Sequence, residues 1–229
     1  MKFSKGLIDG LPIGIGYLAV SFSFGIAGSK ALSWPLVTLI SMTNLTSAGQ
    51  FAGLKIMEAA GTFLEMALAT FFINLRYSLM AISLSQKVSP DFRTPERLLL
   101  SIGITDEIYA LAMSAKERVT PLYFLGLMTL PYIGWSLGTL SGAIAGEVLP
   151  NILTNALGVA LYGMFVAIVV PKAKSHRPTL FAVILSIALS FAFFYLPGLK
   201  NVSTGFAIIL CAVISSLFAA RIFPVKDSA

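Results

Sequence analysis

The sequence is poor in the residues that form disulfides and most metal sites. It has one cysteine, Cys211, and one histidine, His176, so it supplies neither a disulfide framework nor a His/Cys metal cluster. It has no Walker motif, and no strand precedes the glycines of its first apolar segment, which argues against a nucleotide-binding loop. We therefore predict no cofactor and no ATP hydrolysis by the chain itself.

Charge is scarce as well. Charged residues make up 11% of the 229 residues and hydrophobic residues 57%, whereas about a quarter of a soluble domain is charged. The net charge of +6 comes from Lys and Arg in short loops between apolar runs, which favours orientation in a membrane over nucleic-acid binding. The uncharged runs are each long enough for a helix of about 20 residues to cross a bilayer. They are 10–29, 31–54, 119–146, 148–171, 178–199 and 201–220.

This pattern predicts an all-α integral membrane protein, a single transmembrane domain over residues 1–229 with about eight transmembrane helices. One segment, 34–54, is the best candidate for a re-entrant or broken helix, because residues 43–50 are too polar to face lipid. The predicted helices are 11–30, 34–54, 63–84, 98–115, 121–146, 150–171, 178–198 and 202–221.

The distribution of basic residues predicts an orientation. Eight crossings put both termini on one side, where the loops carry ten Lys and Arg residues against five on the other side. The positive-inside rule then places both termini in the cytoplasm of a bacterium or archaeon, with the chain multi-pass in the cytoplasmic membrane and in contact with lipid. The loop 85–97 is the exception, because it brings three basic residues to the nominal outside; a re-entrant segment would move it inside.

A weak similarity between the two halves of the sequence suggests an internal duplication. At an offset of 118 residues, Gly16 matches Gly134 and Ser23 matches Ser141. We predict two repeats, 6–115 and 121–225. Four crossings in each half would make the repeats parallel, and a re-entrant segment that left three would invert them.

Three charged residues lie near the middle of predicted helices. Arg76 is near the middle of the third helix, and Asp106 and Glu107 are near the middle of the fourth. A charge at the bilayer centre costs at least about 2.5 to 3.5 kcal/mol, so these groups should face the bundle interior and pair with one another. Either they form a static clamp, or Arg76 binds a substrate carboxylate and an acidic residue carries a proton.

Polar residues near these charges complete the predicted site. Around Ser47 and Gln50, either a broken helix exposes backbone groups to a zwitterionic ligand, or small residues pack helices with Gln50 bonded across an interface. Other polar side chains flank the charges in sequence. The predicted substrate-binding residues are Ser47, Gln50, Asn74, Arg76, Tyr77 and Tyr109.

Four motifs together resemble the AzlC family of branched-chain amino acid exporters. They begin at Leu11, Ser47, Asn74 and Thr105, with the sequences LPIG, SAGQ, NLRYSLM and TDEIYA. The resemblance covers about residues 6–220 and is strongest in the first half. Family members often carry His after the Arg, whereas Tyr77 stands here, so no proton role is carried over to that position.

The resemblance implies a secondary exporter of valine, leucine, isoleucine and sometimes methionine, and not an enzyme. It also implies a small membrane subunit of the AzlD type as partner. Two other classes stay open: a membrane-embedded scaffold, and an enzyme acting on lipid with Asp106 and Glu107 as acid and base.

Overall fold

The structure is a computed structural model that describes residues 2–150, 163, 166 and 169–224. Throughout these residues its regular structure is helical, apart from one isolated β-bridge between Val88 and Val119. The all-helical prediction is therefore confirmed for the described chain. The helices are α1 (Phe3–Gly28), α2 (Trp34–Thr43), α3 (Ala48–Glu58), α4 (Phe63–Lys87), α5 (Thr94–Leu100) with a 3₁₀ turn at Ser101–Gly103, α6 (Asp106–Ser114), α7 (Pro121–Val148), α8 (Arg177–Tyr195) and α9 (Thr204–Ile222).

Four of the described helices are long and apolar enough to cross a membrane: α1, α4, α8 and α9. With 28 residues α7 is also long enough, but much of its surface is buried against other helices. Residues 169–175 are helical too, and most of the predicted helix 150–171 lies outside the described residues. The chain is thus a multi-pass membrane protein.

The predicted helix 34–54 is broken. Helix α2 ends at Thr43 and α3 begins at Ala48, and Ser47 between them has a φ of 31°. A positive φ is uncommon outside glycine and interrupts helical hydrogen bonding. Non-helical backbone at this point is what the polar stretch 43–50 had indicated.

The prediction of one spanning helix over 98–115 was wrong. The segment consists of α5, the 3₁₀ turn and α6, with a break at Ile104 and Thr105. The Thr105 hydroxyl caps α6 by accepting a hydrogen bond from the backbone N–H of Ile108 at 3.4 Å. A threonine before two acidic residues is a typical helix start, and it ends the apolar run at this point.

The two ends of the α5–α6 segment meet, so the segment forms a helical hairpin. The backbone N–H of Ser89 donates to the carbonyl of Val119 at 2.8 Å, and the N–H of Val119 donates to the carbonyl of Lys87 at 3.2 Å. The chain between residues 89 and 118 therefore leaves and returns at the same place. Nine residues of α6 rise only about 14 Å, roughly half of a hydrocarbon core.

The described chain divides into two compact units. The first comprises Met1–Gln50 and Asn74–Leu161, and the second Phe51–Ile73 and Tyr162–Ala229. In the first unit, α1 and α7 lie side by side and parallel, because Gly6 meets the backbone of α7 at Tyr123 while Gly25 meets it near Thr139. A Cβ atom at Gly6 or Gly25 would overlap that backbone, so glycine is required for this approach.

One end of the first unit collects the start of α1, the end of α4, the loop 85–97 and the start of α7. The loop reaches it through the Val88–Val119 bridge, and α1 through the contact of Gly6 with Tyr123. The opposite end holds Trp34, whose backbone N–H donates to Glu147 Oε1 at 3.2 Å. The loop 85–97 therefore lies at the same end as the N-terminus, which corrects the placement that eight crossings implied.

In the second unit, a small core is formed by Ile56, Ala69 and Ile209. Beside it, the carboxylate of Glu65 accepts hydrogen bonds from the Thr62 backbone N–H at 2.7 Å and from the Ser203 hydroxyl. Its role as a helix cap explains a carboxyl group that is only 6% exposed.

Candidate functional site

The candidate site lies in the first unit, where two helix breaks meet the middle of α1 and α7. Tyr17 of α1 and Trp135 of α7 pack edge to face, with ring centroids 5.3 Å apart. Leu45, from the α2–α3 break, completes this buried cluster. The hydroxyl of Tyr17 extends to Thr105 and Glu107 at the α5–α6 break, so one tyrosine contacts both breaks.

The Tyr17 hydroxyl sits between two oxygen atoms. It lies 2.6 Å from Glu107 Oε2 and 2.7 Å from Thr105 Oγ1. A phenol has one proton, and a carboxylate is the stronger acceptor, so Tyr17 donates to Glu107 while the Thr105 hydroxyl donates to Tyr17. This arrangement holds the start of α6 against α1.

The ion pair of the site joins α4 to α6. Arg76 Nη1 lies 2.7 Å from Asp106 Oδ2, and the two side chains are 43% and 39% exposed. Arg76 Nη2 also donates to the Tyr77 hydroxyl at 3.2 Å, and its guanidinium lies 4.9 Å from the centre of the Tyr77 ring. Because a guanidinium has five N–H groups and this one is only partly covered, it keeps donors for a carboxylate ligand.

The two acidic residues do not lie in the middle of a helix, as expected from the sequence, but in the first turn of α6. A helix N-terminus favours negative charge, so the first turn of α6 stabilises both carboxylates. The two adjacent acidic residues have different partners. Asp106 contacts Arg76, and Glu107 contacts Tyr17.

Gln50, at the start of α3, is 3% exposed and bonded on both sides. Its Oε1 accepts from Trp135 Nε1 at 3.0 Å, and its Nε2 donates to Ser41 Oγ at 2.9 Å. Ser41 Oγ in turn lies 2.7 Å from Thr139 Oγ1 of α7. These contacts match the interpretation of Gln50 as a bond across a helix interface, and a contact with substrate stays a prediction.

The remaining predicted residues lie around the same breaks. Asn74 faces Gly49, because a Cβ atom built on that glycine would stand 3.1 Å from Asn74 Oδ1. Tyr109 donates to Ser83 Oγ at 2.9 Å, a second link between α6 and α4. Ser47 lies in the α2–α3 break itself. Direct contacts of these residues with a substrate remain predictions.

Sequence reasoning missed Tyr17, Thr105 and Trp135, which hold the two breaks together. Thr105 carried a usable signal, because a threonine followed by two acidic residues is a typical helix N-terminus. Tyr17 and Trp135 carried none, since a polar aromatic residue in a glycine-rich span is equally suited to lipid-facing or buried positions. Within the described residues, no three His, Cys, Asp or Glu side chains are grouped as metal ligands.

Comparison with known proteins adds a family assignment. The family model described as AzlC protein matches residues 12–149, more than half of the chain and all of the elements that form the candidate site except the first turns of α1. An uncharacterized membrane protein of Archaeoglobus fulgidus is 28% identical over 178 residues, covering 76% of this chain and 78% of that protein. The inner membrane protein YgaZ of Escherichia coli K12 is 27% identical over 173 residues, covering 72% of this chain and 71% of that protein. No solved structure matches the chain.

Proposed function

Because the chain belongs to the AzlC family, we propose that it is a secondary transporter that exports branched-chain amino acids across the cytoplasmic membrane. Valine, leucine and isoleucine are the proposed substrates, with methionine as a further one, and a small AzlD-type membrane subunit is the proposed partner. The name of the relative YgaZ, an inner membrane protein, supports the location.

The observation that carries this proposal is the partly open ion pair between Arg76 and Asp106. A buried, fully paired clamp would have no surface left for a ligand, whereas about two fifths of each side chain is exposed here. A substrate carboxylate is a planar group like that of Asp106, and it forms the same paired hydrogen bonds with a guanidinium. Substrate and Asp106 therefore compete for Arg76.

Competition for one guanidinium supplies two states of the site. Without substrate, Arg76 is neutralised by Asp106 and α4 is tied to α6. With substrate bound, Asp106 is released and needs another positively charged partner, because an unpaired carboxylate in an apolar environment is costly. The substrate ammonium group can be that partner, and a proton competes with it for the same carboxylate. Exchange of outgoing substrate for an incoming proton on Asp106, with Glu107 and Tyr17 as neighbours, is the proposed route for coupling export to the proton gradient.

The breaks supply the movement that export requires. Helix α6 is short, and it is held by the Tyr17 contacts at its start and by the link between Tyr109 and Ser83. Release of Asp106 removes one of the bonds that fix this half-helix. Broken helices at the binding centre move more easily than continuous ones, since their ends lack regular hydrogen bonds.

For the orientation, we propose that the end of the first unit that contains the N-terminus is cytoplasmic. Seven of the nine basic residues described in this unit lie at that end, one lies at the other end and Arg76 lies between them. The single residue at the other end is Lys30. The seven are Lys2, Lys5, Lys87, Arg93, Arg97, Lys116 and Arg118.

This orientation reduces the proposed number of crossings from about eight to six. Helix α1 ends at one end of the first unit and α4 ends at the opposite end. The chain from the end of α1 to the end of α4 must therefore cross the membrane an odd number of times. Since α4 is one crossing, the α2–α3 segment is proposed to enter and leave on the same side without crossing. The proposed crossings are α1, α4, α7, 150–171, α8 and α9, with both termini in the cytoplasm.

Efflux from proteoliposomes tests the function. Vesicles that contain the purified protein, with and without a co-reconstituted small subunit, are loaded with radiolabelled leucine and diluted into buffer of lower or equal pH. Release that depends on the protein and competes with valine supports an exporter. Neither a scaffold nor a lipid-acting enzyme would produce it, and no release in either preparation would reject the proposal.

A further inference from the structure

Two buried oxygen atoms at the α2–α3 break have no hydrogen-bond partner among the described residues. They are Thr46 Oγ1 and Asn74 Oδ1, and each is fully shielded from solvent. Leaving such a group unpaired costs about 1 to 3 kcal/mol, so both atoms are expected to meet something that donates a hydrogen bond or carries positive charge.

The two oxygens lie on either side of Gly49. A Cβ atom built on this glycine would stand 2.5 Å from Thr46 Oγ1 and 3.1 Å from Asn74 Oδ1. The absent side chain therefore lets both oxygens lie close to the Gly49 backbone, with no side-chain atom of residue 49 in the space between them. Gly49 is also fixed in place, because its backbone N–H donates to the Thr46 carbonyl at 2.9 Å.

The backbone around this space adds further acceptors. Helix α2 stops at Thr43, so its last carbonyl groups have no partner one turn further along, and the negative end of its dipole points into the break. One of these carbonyls, that of Met42, accepts from the Tyr132 hydroxyl at 2.8 Å. Unwound carbonyls beside side-chain oxygens are the ligands from which membrane transporters build sodium sites.

We propose that Thr46 and Asn74 form a binding site for a monovalent cation of sodium size, completed by backbone carbonyls of residues 43–47. Hard oxygen donors without a carboxylate suit an ion of single charge. The substrate is not the proposed occupant, because both oxygens are shielded from solvent.

This site is separate from the ion pair, although Asn74 and Arg76 are two residues apart. Positions i and i+2 of a helix point about 200° apart around its axis, so the two side chains leave α4 in different directions. Asn74 faces Gly49, and Arg76 faces Asp106. Asn74 is thus assigned to the ion and not to the substrate.

The effect of the ion on export rests on the proposed transport function, whereas the binding of the ion does not. A cation that joins the α2–α3 break to α4 would steady one side of the binding centre. The binding of the ion itself can be measured without any substrate.

Thermal unfolding of the purified full chain in nanodiscs tests the site. The midpoint is measured in NaCl and in choline chloride at equal ionic strength, over a range of Na⁺ concentrations. We expect a saturable rise with Na⁺ in the wild type, and a half-saturating concentration at least about tenfold higher in Thr46→Val and in Asn74→Leu, since each loses one ligand.

Two further variants make the test specific. Thr38→Val removes a hydroxyl of α2 that lies outside the proposed site and already donates to the Trp34 carbonyl, so it should keep the wild-type response to Na⁺. Thr46→Ser keeps the oxygen and should keep most of the response. Should Thr46→Val fail to fold, the comparison of Thr46→Ser with Asn74→Leu carries the test.

Three outcomes would overturn the proposal. Equal midpoints in NaCl and choline chloride would mean that a water molecule fills the space. An unchanged Na⁺ response in both ligand variants would place the ion elsewhere. Stabilisation by leucine alone that disappears in these variants would assign the oxygens to the substrate ammonium group. Sodium binding without any efflux would uphold the site and reject the transport function.

Discussion

The Tyr17 hydroxyl lies 2.6 Å from Glu107 Oε2, although the two residues are 90 positions apart in the chain. This contact joins a long continuous helix to the first turn of a half-helix that also carries Asp106. The other side of the Tyr17 ring packs against Trp135, which fixes the position of the tyrosine. The hydrogen bond from Tyr17 then fixes the Glu107 carboxylate. Glu107 is therefore tied to the scaffold while Asp106 is tied to Arg76.

Tyr17→Phe removes the hydroxyl and keeps the ring that packs on Trp135. A hydrogen bond to a charged group contributes about 1.5 to 3 kcal/mol, so we expect leucine efflux to fall about tenfold or more as α6 loses its fixed start. Efflux from proteoliposomes measures the effect. The matched control is Tyr132→Phe, whose hydroxyl donates to the Met42 carbonyl away from α6, and it should stay nearer to the wild-type rate. Equal rates in wild type and Tyr17→Phe would remove this contact from the mechanism.

Arg76→Ala should abolish efflux while the protein still inserts into the membrane and elutes as a single species. The variant removes the group to which both Asp106 and the substrate carboxylate bind. Arg76→Lys keeps the charge but loses the paired hydrogen bonds, so we expect weaker apparent binding of leucine and not a restored rate. Arg118→Ala, which removes an arginine from a loop, serves as the control. A normal rate in Arg76→Ala would exclude Arg76 from the binding site.

Asp106→Asn separates substrate binding from coupling. Asparagine cannot take up a proton, so efflux should no longer change with external pH, while Arg76 stays free to bind the leucine carboxylate. Efflux is measured at a series of external pH values. Exchange of internal radiolabelled leucine for external leucine measures substrate binding and release separately from proton coupling. Glu107→Gln should retain the pH response, because Glu107 is held by Tyr17 and not released by substrate. A wild-type pH profile in Asp106→Asn would rule out coupling through this carboxyl group.

The sequence predicted the helical fold and a charged residue near the middle of an apolar helix, and it did so for a physical reason. Lipid tolerates few charges, so the position of Arg76 near the middle of an apolar helix was visible from hydropathy alone. The polar stretch at 43–50 likewise revealed the break before α3. Both features depend on local composition, which a single sequence contains.

Two features were missed for different reasons. The break at Thr105 had a local signal in the threonine and the two acidic residues, but the apolar residues on both sides extend the hydrophobic run over a spanning length and outweighed that signal. The pairing of Val88 with Val119, which makes α5–α6 a hairpin, is a tertiary contact with no sequence signal. Counting the segment 34–54 as a crossing is what placed the loop 85–97 at the end opposite the N-terminus.

The orientation of the first unit can be tested with single cysteines. In a Cys211→Ser background, we expect Ala31→Cys to react with a membrane-impermeant maleimide in intact cells and Gln86→Cys to react only after permeabilisation. Both positions are exposed, and they lie at opposite ends of the unit. Eight crossings would put both on the outside, so labelling of Gln86→Cys in intact cells would contradict the proposed topology. A cytoplasmic protein that stays unlabelled until permeabilisation controls for cell integrity.

The parallel packing of α1 on α7 predicts a sharp difference between two glycines of α1. A Cβ atom at Gly25 would overlap backbone atoms near Thr139 and Gly142, whereas a Cβ atom at Gly16 meets nothing within 4 Å. Backbone atoms cannot move aside as a flexible side chain does, so Gly25→Ala should cost about 1 to 3 kcal/mol or more as the helices separate. Gly16→Ala replaces the poorer helix former at no steric cost and should be neutral or stabilising by up to about 1 kcal/mol. Unfolding midpoints in detergent measure both variants. Equal midpoints for the two would show that α1 and α7 do not approach closely at Gly25.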